Sequence, residues 1–211
     1  ARGQSPSPPR MVYVRKLIDD DIWQMTTTAA GRPPSSPPTP AIRSTKQDIH
    51  PQLSPHGNRL AYTSTRSGFW EIWVSDLDGA NAMQLTDLRA PTGTGVPNWS
   101  PDGNNLAIVR QAADKTRIEY PIGTVKYETM HFIREMRVSP DGKRLAILEP
   151  SRGEYDVAII ENGPPVSIAR GWGRGATGLA WSADGTEIWV SGTSNSMPPA
   201  LYAVNVATGD V

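Results

Sequence analysis

Four serines recur along this chain inside one tetrapeptide: Ser54-Pro55-His56-Gly57, Ser100-Pro101-Asp102-Gly103, Ser139-Pro140-Asp141-Gly142 and Ser182-Ala183-Asp184-Gly185. A hydroxyl two residues from a carboxylate or an imidazole suggests an activated nucleophile, which needs a base within hydrogen-bond reach. Serine hydrolases built on a nucleophile elbow also need Gly-x-Ser-x-Gly, with an acid and a histidine downstream. No such pentapeptide occurs in the sequence. Repetition at equivalent positions points instead to scaffold chemistry, in which Ser and Asp side chains bond the backbone of a tight turn.

The remaining reactive residue types are sparse. Of the three histidines, His56 fills the Asp slot of an anchor turn, His131 has no partner visible in sequence, and none forms a His-Glu-x-x-His motif. His50 lies beside Asp48 on a predicted strand, where a ligand or metal contact competes with structural hydrogen bonding. The run Gly171-Trp172-Gly173-Arg174-Gly175-Ala176-Thr177-Gly178 lacks the Gly-Lys-Ser/Thr ending of a phosphate loop and no helical pattern follows it. It reads as a loop leading into a strand, with Trp172 offering stacking and Arg174 a charge-assisted donor. Asp19-Asp20-Asp21 and Asp76-Leu77-Asp78-Gly79 lack the later ligands of a calcium loop and read as solvated turn carboxylates. The expected binding residues are therefore Asp48, His50, Arg134, Trp172 and Arg174, with no catalytic residue, metal set or cofactor. Cysteine is absent, which excludes disulfides, thiolate metal sites and a Cys nucleophile.

The elements that position these residues follow from composition and spacing. Lys plus Arg and Asp plus Glu are both 21 in 211 residues, so no global field draws the chain to nucleic acid or an anionic membrane. No apolar run is long enough for a membrane span. Twenty Pro and 19 Gly with 37 % hydrophobic residues suit short strands joined by many turns, an all-β chain.

The anchors are spaced by 46, 39 and 43 residues. A period of about 40 to 45 residues is that of a four-stranded propeller blade. Each anchor is followed at fixed offset by an apolar triplet: Leu60-Ala61-Tyr62, Leu106-Ala107-Ile108, Leu145-Ala146-Ile147 and Ile188-Trp189-Val190. Leu53, Trp99, Val138 and Trp181 immediately precede the serines, so the pattern is strand, tight turn, strand. In that turn Ser54, Ser100, Ser139 and Ser182 cap, Asp102, Asp141 and Asp184 bond the backbone, and Gly57, Gly103, Gly142 and Gly185 accept φ > 0. Third strands are predicted at 69–74, 116–121, 155–160 and 201–206, and fourth strands at 82–86, 124–129 and 165–169. Trp23, Trp70, Trp73, Trp99, Trp181 and Trp189 fall largely at repeat-equivalent positions and read as blade-packing residues.

A fifth, degraded unit precedes these. Ser5 to Tyr13 aligns without a gap on Ser54 to Tyr62, and Asp21-Ile22-Trp23 matches Glu71-Ile72-Trp73. Pro8 replaces the turn glycine and cannot take φ > 0. Arg32 to Pro40 enlarges the loop before this unit's fourth strand, at about 41–45, as a solvent-exposed polyproline-like segment. The expected units are about 1–45, 46–90, 91–130, 131–172 and 173–211, together one propeller segment. The first unit lacks a first strand and the last a fourth, so an incomplete ring is expected. Leaving roughly 500 Å² of apolar blade face open forfeits roughly 12 kcal/mol, so the parent protein is expected to hold about six to eight blades.

The strings Ser-Pro-Asp-Gly-Lys-x-Leu-Ala, Glu71-Ile72-Trp73-Val74-Ser75-Asp76-Leu77-Asp78-Gly79 and Gln84-Leu85-Thr86 resemble TolB-type propeller repeats, relatives of the WD-repeat propellers, although the Trp-Asp dipeptide is absent. The stretch Arg117 to Gly123, with Tyr127-Glu128-Thr129, resembles propellers appended to bacterial eukaryotic-like Ser/Thr kinases and winged-helix regulators. The resemblance implies a noncatalytic module that binds a protein or small ligand at its loops and channel mouth, often outside the cytoplasmic membrane. It implies two further contexts: the access-controlling propeller of a prolyl-oligopeptidase-like enzyme, and a stand-alone periplasmic TolB-like protein.

Overall fold

The computed structural model describes residues 10–16, 20–26, 37–89, 95–112, 114–173, 175–194 and 197–211, which are strands and turns without a helix. They belong to two compact units, one ending at Pro97 and one starting at Asn98. The anchor turn expected at Ser5 to Pro9 and most of the proline-rich segment lie outside the described residues.

The first unit holds β1 (Arg10–Lys16), β2 (Asp20–Thr26) and β3 (Thr39–Ile42) as one antiparallel sheet in that order. Its second sheet runs β4 (Asp48–Leu53), β5 (Arg59–Ser64), β6 (Glu71–Asp76) and β7 (Met83–Gln84). Strand β6 starts two residues later than the sequence suggests. A turn closed by the Gly68 N–H on the Thr65 carbonyl at 2.9 Å, with Gly68 at φ +96, takes up the intervening chain and leaves Phe69 exposed.

The second unit contains β8 (Asn98–Trp99), β9 (Leu106–Ala112), β10 (Lys115–Glu119) and β11 (Val125–Thr129), a four-stranded sheet. Next come β12 (Met136–Val138), β13 (Leu145–Ser151), β14 (Glu154–Ile160) and β15 (Val166–Trp172), then β16 (Gly178–Trp181), β17 (Glu187–Ser194) and β18 (Met197–Asn205). These last two groups join through a single pair, Trp172 opposite Ser194.

Side chains alternate across a strand, so each sheet presents two faces. In the first unit Ile22, Ala41, Ile42, Leu60 and Tyr62 form the core between the two sheets. In the second, Leu145, Ile147, Ala158 and Ile160 face Ala107, Val109 and Ile118 on one side of the middle sheet. Ala146, Leu148 and Val157 face Leu179, Ile188 and Val190 on the other. Burying each such Leu or Ile contributes about 1.5 to 3 kcal/mol, so truncating fully buried Leu60 or Ile147 to Ala costs about 3 kcal/mol once the cavity is included.

Hydrogen bonds tie successive first strands together. Asn98 Oδ1 accepts the Val138 N–H at 2.7 Å, and the Trp181 indole N–H donates to the Arg137 carbonyl at 3.1 Å. Arg144 stacks 5.0 Å over the Trp181 ring. These bonds satisfy groups that the short innermost strands cannot pair within their own sheets.

Candidate functional site

The anchor serines are committed within their turns. Ser100 Oγ donates to Asp102 Oδ1 at 2.5 Å and accepts the Asn105 N–H at 2.9 Å. Ser139 donates to Asp141 at 2.5 Å and accepts from Arg144 at 2.9 Å, and Ser182 donates to Asp184 at 2.7 Å and accepts from Glu187 at 2.9 Å. With His56 in the Asp slot, Ser54 Oγ turns to Asn58 Oδ1 at 3.1 Å instead. The four glycines have φ between +68 and +72, the left-handed conformation expected of them. Hydrogen bonding from the serine holds the Asp102 and Asp141 carboxyls below the usual carboxylate range, and the same bond from Ser182 brings Asp184 down to about 2. Ser100, Ser139 and Ser182 thus each have a carboxylate within reach, but one held below its usual range is a poor general base at neutral pH, and the serine oxygen is already engaged with the turn's own backbone.

Asp48 is a correction to its sequence reading as a ligand contact. Its side chain is fully buried, with Arg66 Nη2 donating to Oδ1 at 3.1 Å and Ser44 Oγ to Oδ2 at 2.7 Å. The Arg66 guanidinium lies 5.2 Å from the Tyr62 ring centroid and 5.1 Å from that of Trp73, and its Nε reaches Ser64 Oγ at 3.2 Å. The pair is a polar plug at one edge of its sheet. His50, two residues away, is exposed with φ +53 in the β4 segment whose register shifts between Ile49 and Gln52.

The aspartates of the triplet that are described also depart from expectation. Asp20 and Asp21 are buried, Asp20 accepting from Gln47 Nε2 at 3.2 Å and Asp21 from the Ser44 N–H at 3.4 Å. Glu71, passed over in the sequence, is 1 % exposed and gathers the hydroxyl of Thr86 at 2.5 Å and the N–H groups of Leu88 at 2.8 Å and Arg89 at 2.7 Å. It ties the start of β6 to the segment after β7. A lone carboxylate inside an otherwise apolar strand run is the sequence signal for such a clamp. Among the described residues no three His, Asp or Glu side chains come together as a metal set.

Trp172 is the second correction. Fully buried at the end of β15, it pairs with Tyr155 and Ser194 and meets the Tyr202 ring edge-on at 5.8 Å. The glycines around it let the strand continue where the sequence suggests a loop, so its ring serves the core and presents no face to a ligand. Arg174 lies outside the described residues.

Arg134 keeps an exposed position and lines a cleft of about 290 Å³ with Pro150, Gly153, Glu154 and Tyr155. The segment before it carries two side chains that the sequence reading missed. Met130 is 64 % and Phe132 56 % exposed, whereas Ile133 beside them is 1 % exposed and pins the segment to the core. Apolar side chains held out on an anchored loop, next to a cation and a tyrosine, have the composition of a protein-binding patch. Burial pushes the Glu135 carboxyl above its usual range at the base of this loop, against the opposing influence of Arg137, whose Nη1 is 3.1 Å away. No helix among the described residues is long and apolar enough to cross a membrane.

No protein-family model matches the chain. The protein named uncharacterized peptidase YuxL of Bacillus subtilis is 26 % identical over 166 residues, 74 % of this chain and 23 % of that protein. The TolB homolog of Chlorobium luteolum is 26 % identical over 72 % of this chain and 35 % of its own length. The crystal structure of TolB from Acinetobacter baumannii superposes with a TM-score of 0.74 at 19 % identity, over 95 % of this chain and 51 % of that one. The fold is thus a β-propeller, and the chain spans about a quarter to a half of the length of these three proteins.

Proposed function

We propose that this β-propeller, which is similar to TolB, works as a noncatalytic module that binds a protein or small ligand within a larger bacterial sensor, kinase or regulator. The observation that carries this reading is the contrast between its two kinds of loop. The Ser-x-Asp turns consume their own hydroxyls and carboxylates, whereas the Met130 to Arg134 loop holds apolar and cationic side chains outward beside a cleft. Rigid sheets with variable loops are a scaffold on which recognition is placed. Of the residues first marked for binding, Arg134 and His50 keep exposed positions. We place the module outside the cytoplasmic membrane, in line with the TolB-type resemblance.

A second reading is favoured by the likeness to the peptidase YuxL. In it the same module restricts access to a hydrolase domain carried elsewhere in the polypeptide. A third is a stand-alone periplasmic partner protein. The gene sequence around the chain separates them. A kinase or winged-helix domain upstream supports the first reading, a Gly-x-Ser-x-Gly hydrolase downstream replaces it with the second, and a signal peptide with no other domain replaces it with the third. Within the first reading, Phe132→Asp is expected to weaken capture of the cognate partner at least about tenfold, the effect of losing an aromatic anchor, with the circular dichroism unchanged. Undiminished capture would remove this loop from the binding surface.

A further inference from the structure

The chain holds five steps in which an Asp or Asn precedes glycine: Asp78-Gly79, Asp102-Gly103, Asp141-Gly142, Asp184-Gly185 and Asn162-Gly163. At each, the glycine amide nitrogen can attack the side chain before it, since no Cβ stands in the way. The fold treats the five unequally. In the four Asp-Gly steps the glycine N–H is bonded inside its turn, to the carbonyls of Asp76 at 3.1 Å, Ser100 and Ser139 at 2.9 Å and Ser182 at 3.0 Å. Their carboxylates are turned forward as well, each accepting the N–H two residues on, at 3.0 Å for Asp78 and 3.1 Å for the other three. Nucleophile and electrophile are both tied down.

Asn162 differs on both counts. It lies in the connection between β14 and β15, where Glu161, Asn162, Gly163 and Pro164 are all exposed. Among the described residues the Asn162 side chain makes no hydrogen bond and the Gly163 N–H has no acceptor. Gly163 also sits outside the left-handed region that the other four glycines occupy at φ +68 to +81, and a Cβ there would meet nothing within 4 Å. The side chain and the following amide have room to close on each other. A neutral carboxamide can release ammonia, whereas an ionised carboxylate offers no comparable leaving group.

We propose that Asn162-Gly163 is a self-modification site, where the folded chain converts Asn162 to aspartate and isoaspartate with water as the co-reactant. The Gly163 nitrogen gives up its proton and bonds to Asn162 Cγ, the Cγ–Nδ2 bond breaks, and Nδ2 takes up a proton and leaves as ammonia. The cyclic imide then adds water. Opening at the bond to Cγ yields aspartate, and opening at the bond to the main-chain carbonyl carbon yields isoaspartate, with one extra carbon in the backbone. Either product puts a new carboxylate beside Glu161 on a cleft of about 490 Å³ that Arg144, Ile159 and Val206 also line. The isoaspartate also lengthens the connection next to Ile159 and Val166, the last cross-strand pair of its hairpin. The charge of the cleft therefore changes with the age of the molecule.

The test is peptide mapping by mass spectrometry after incubating the folded 211-residue chain in warm, mildly alkaline buffer, with isoaspartyl methyltransferase labelling to count isoaspartate. Asn162 is expected to convert at least about tenfold faster than the exposed Asn81 or Asn104, a barrier lower by about 1.4 kcal/mol. Unfolding the chain in denaturant should leave the Asn162 rate within about threefold, while isoaspartate at Asp102, Asp141 and Asp184 rises at least about tenfold. Gly163→Ala, which has room for its methyl group and needs no left-handed φ, should slow the conversion at least about tenfold at an unchanged melting temperature. An Asn162 rate that climbs about tenfold on unfolding, isoaspartate forming as fast at the folded Asp-Gly steps, or a Gly163→Ala chain that converts like the original would each overturn the proposal. None of these readouts depends on which partner the loops bind.

Discussion

Ser139 and Asp141 share a hydrogen bond of 2.5 Å across their turn, and the same serine oxygen receives the Arg144 N–H at 2.9 Å. The arrangement recurs at Ser100 with Asp102 and at Ser182 with Asp184. A motif that looks like a row of reactive hydroxyls is therefore a row of clasps closing the first and second strands of successive sheets.

These clasps make the fold sensitive to acid in a defined direction. Asp102, Asp141 and Asp184 are depressed in the folded chain by bonds from their serines, Asp184 to about 2. A depressed carboxylate contributes stability that is fully present above the unfolded value of about 3.9 and is lost as pH falls through the folded value. Melting temperature is expected to decline between about pH 4 and pH 2, and the Asp184→Asn variant should decline less over that window. NMR titration of the Asp184 side-chain carbon checks the origin, since an inflection near the unfolded value would remove this contribution.

Asp48, fully buried, pairs with Arg66, whose side chain is 23 % exposed, with Ser44 and Ser64 satisfying further valences in the first unit. Asp48→Ala leaves the guanidinium without its carboxylate, a loss of about 3 kcal/mol for a pair of this kind. For a chain of this size that is a fall in Tm of roughly 6 to 12 °C. Asp48→Asn, which keeps an acceptor for Arg66, should recover about half of it. Thermal melts of the two variants decide the matter, and equal, negligible losses would return Asp48 to the list of ligand contacts.

Glu71 holds the backbone amides of Leu88 and Arg89 and the hydroxyl of Thr86. Glu71→Gln places an amide N–H₂ against donors, a mismatch worth about 2 kcal/mol. Amide hydrogen exchange at Leu88 and Arg89 should quicken by about thirtyfold, the same energy expressed as an opening constant, while amides of β13 and β14 stay unchanged. Uniform acceleration everywhere would mean that the residue supports global stability and not this segment.

Two glycines with similar backbone angles should respond differently to a methyl group. At Gly142, φ +72, an added Cβ meets Pro101 and the Tyr120 hydroxyl at 3.5 Å, ordinary contact, so Gly142→Ala costs about 1 kcal/mol for the left-handed conformation. At Gly209, φ +76, the same Cβ falls 2.3 Å from the Ile168 carbonyl oxygen, so the backbone itself must move. Denaturant unfolding should rank Gly209→Ala clearly below Gly142→Ala, and equal losses would contradict the close approach.

The repeat was legible because its turns need particular residues at fixed offsets, and the strands on either side alternate between two cores. Strand ends were less legible. Phe69 and Trp70 carry strand-forming side chains, but the Thr65 to Gly68 turn delays β6 to Glu71. At the site, types could be read but environments could not. Asp48 and Trp172 looked like ligand contacts from composition, and tertiary packing buried both. Met130 and Phe132 drew no reading from the sequence, and their exposure beside the anchored Ile133 is visible only in the structure. Trp189 was read with the other tryptophans as packing material, yet it is 42 % exposed.

The central claim, a propeller whose serines are structural and which has no hydrolytic chemistry of its own, is tested most directly by exposing the purified 211-residue chain to a fluorophosphonate probe and mapping the product by mass spectrometry. No labelled serine is expected, and no turnover of peptide or ester substrates above that of the heat-denatured chain. Stoichiometric labelling of Ser54, Ser100, Ser139 or Ser182, accompanied by turnover that the matching Ser→Ala variant abolishes, would contradict it.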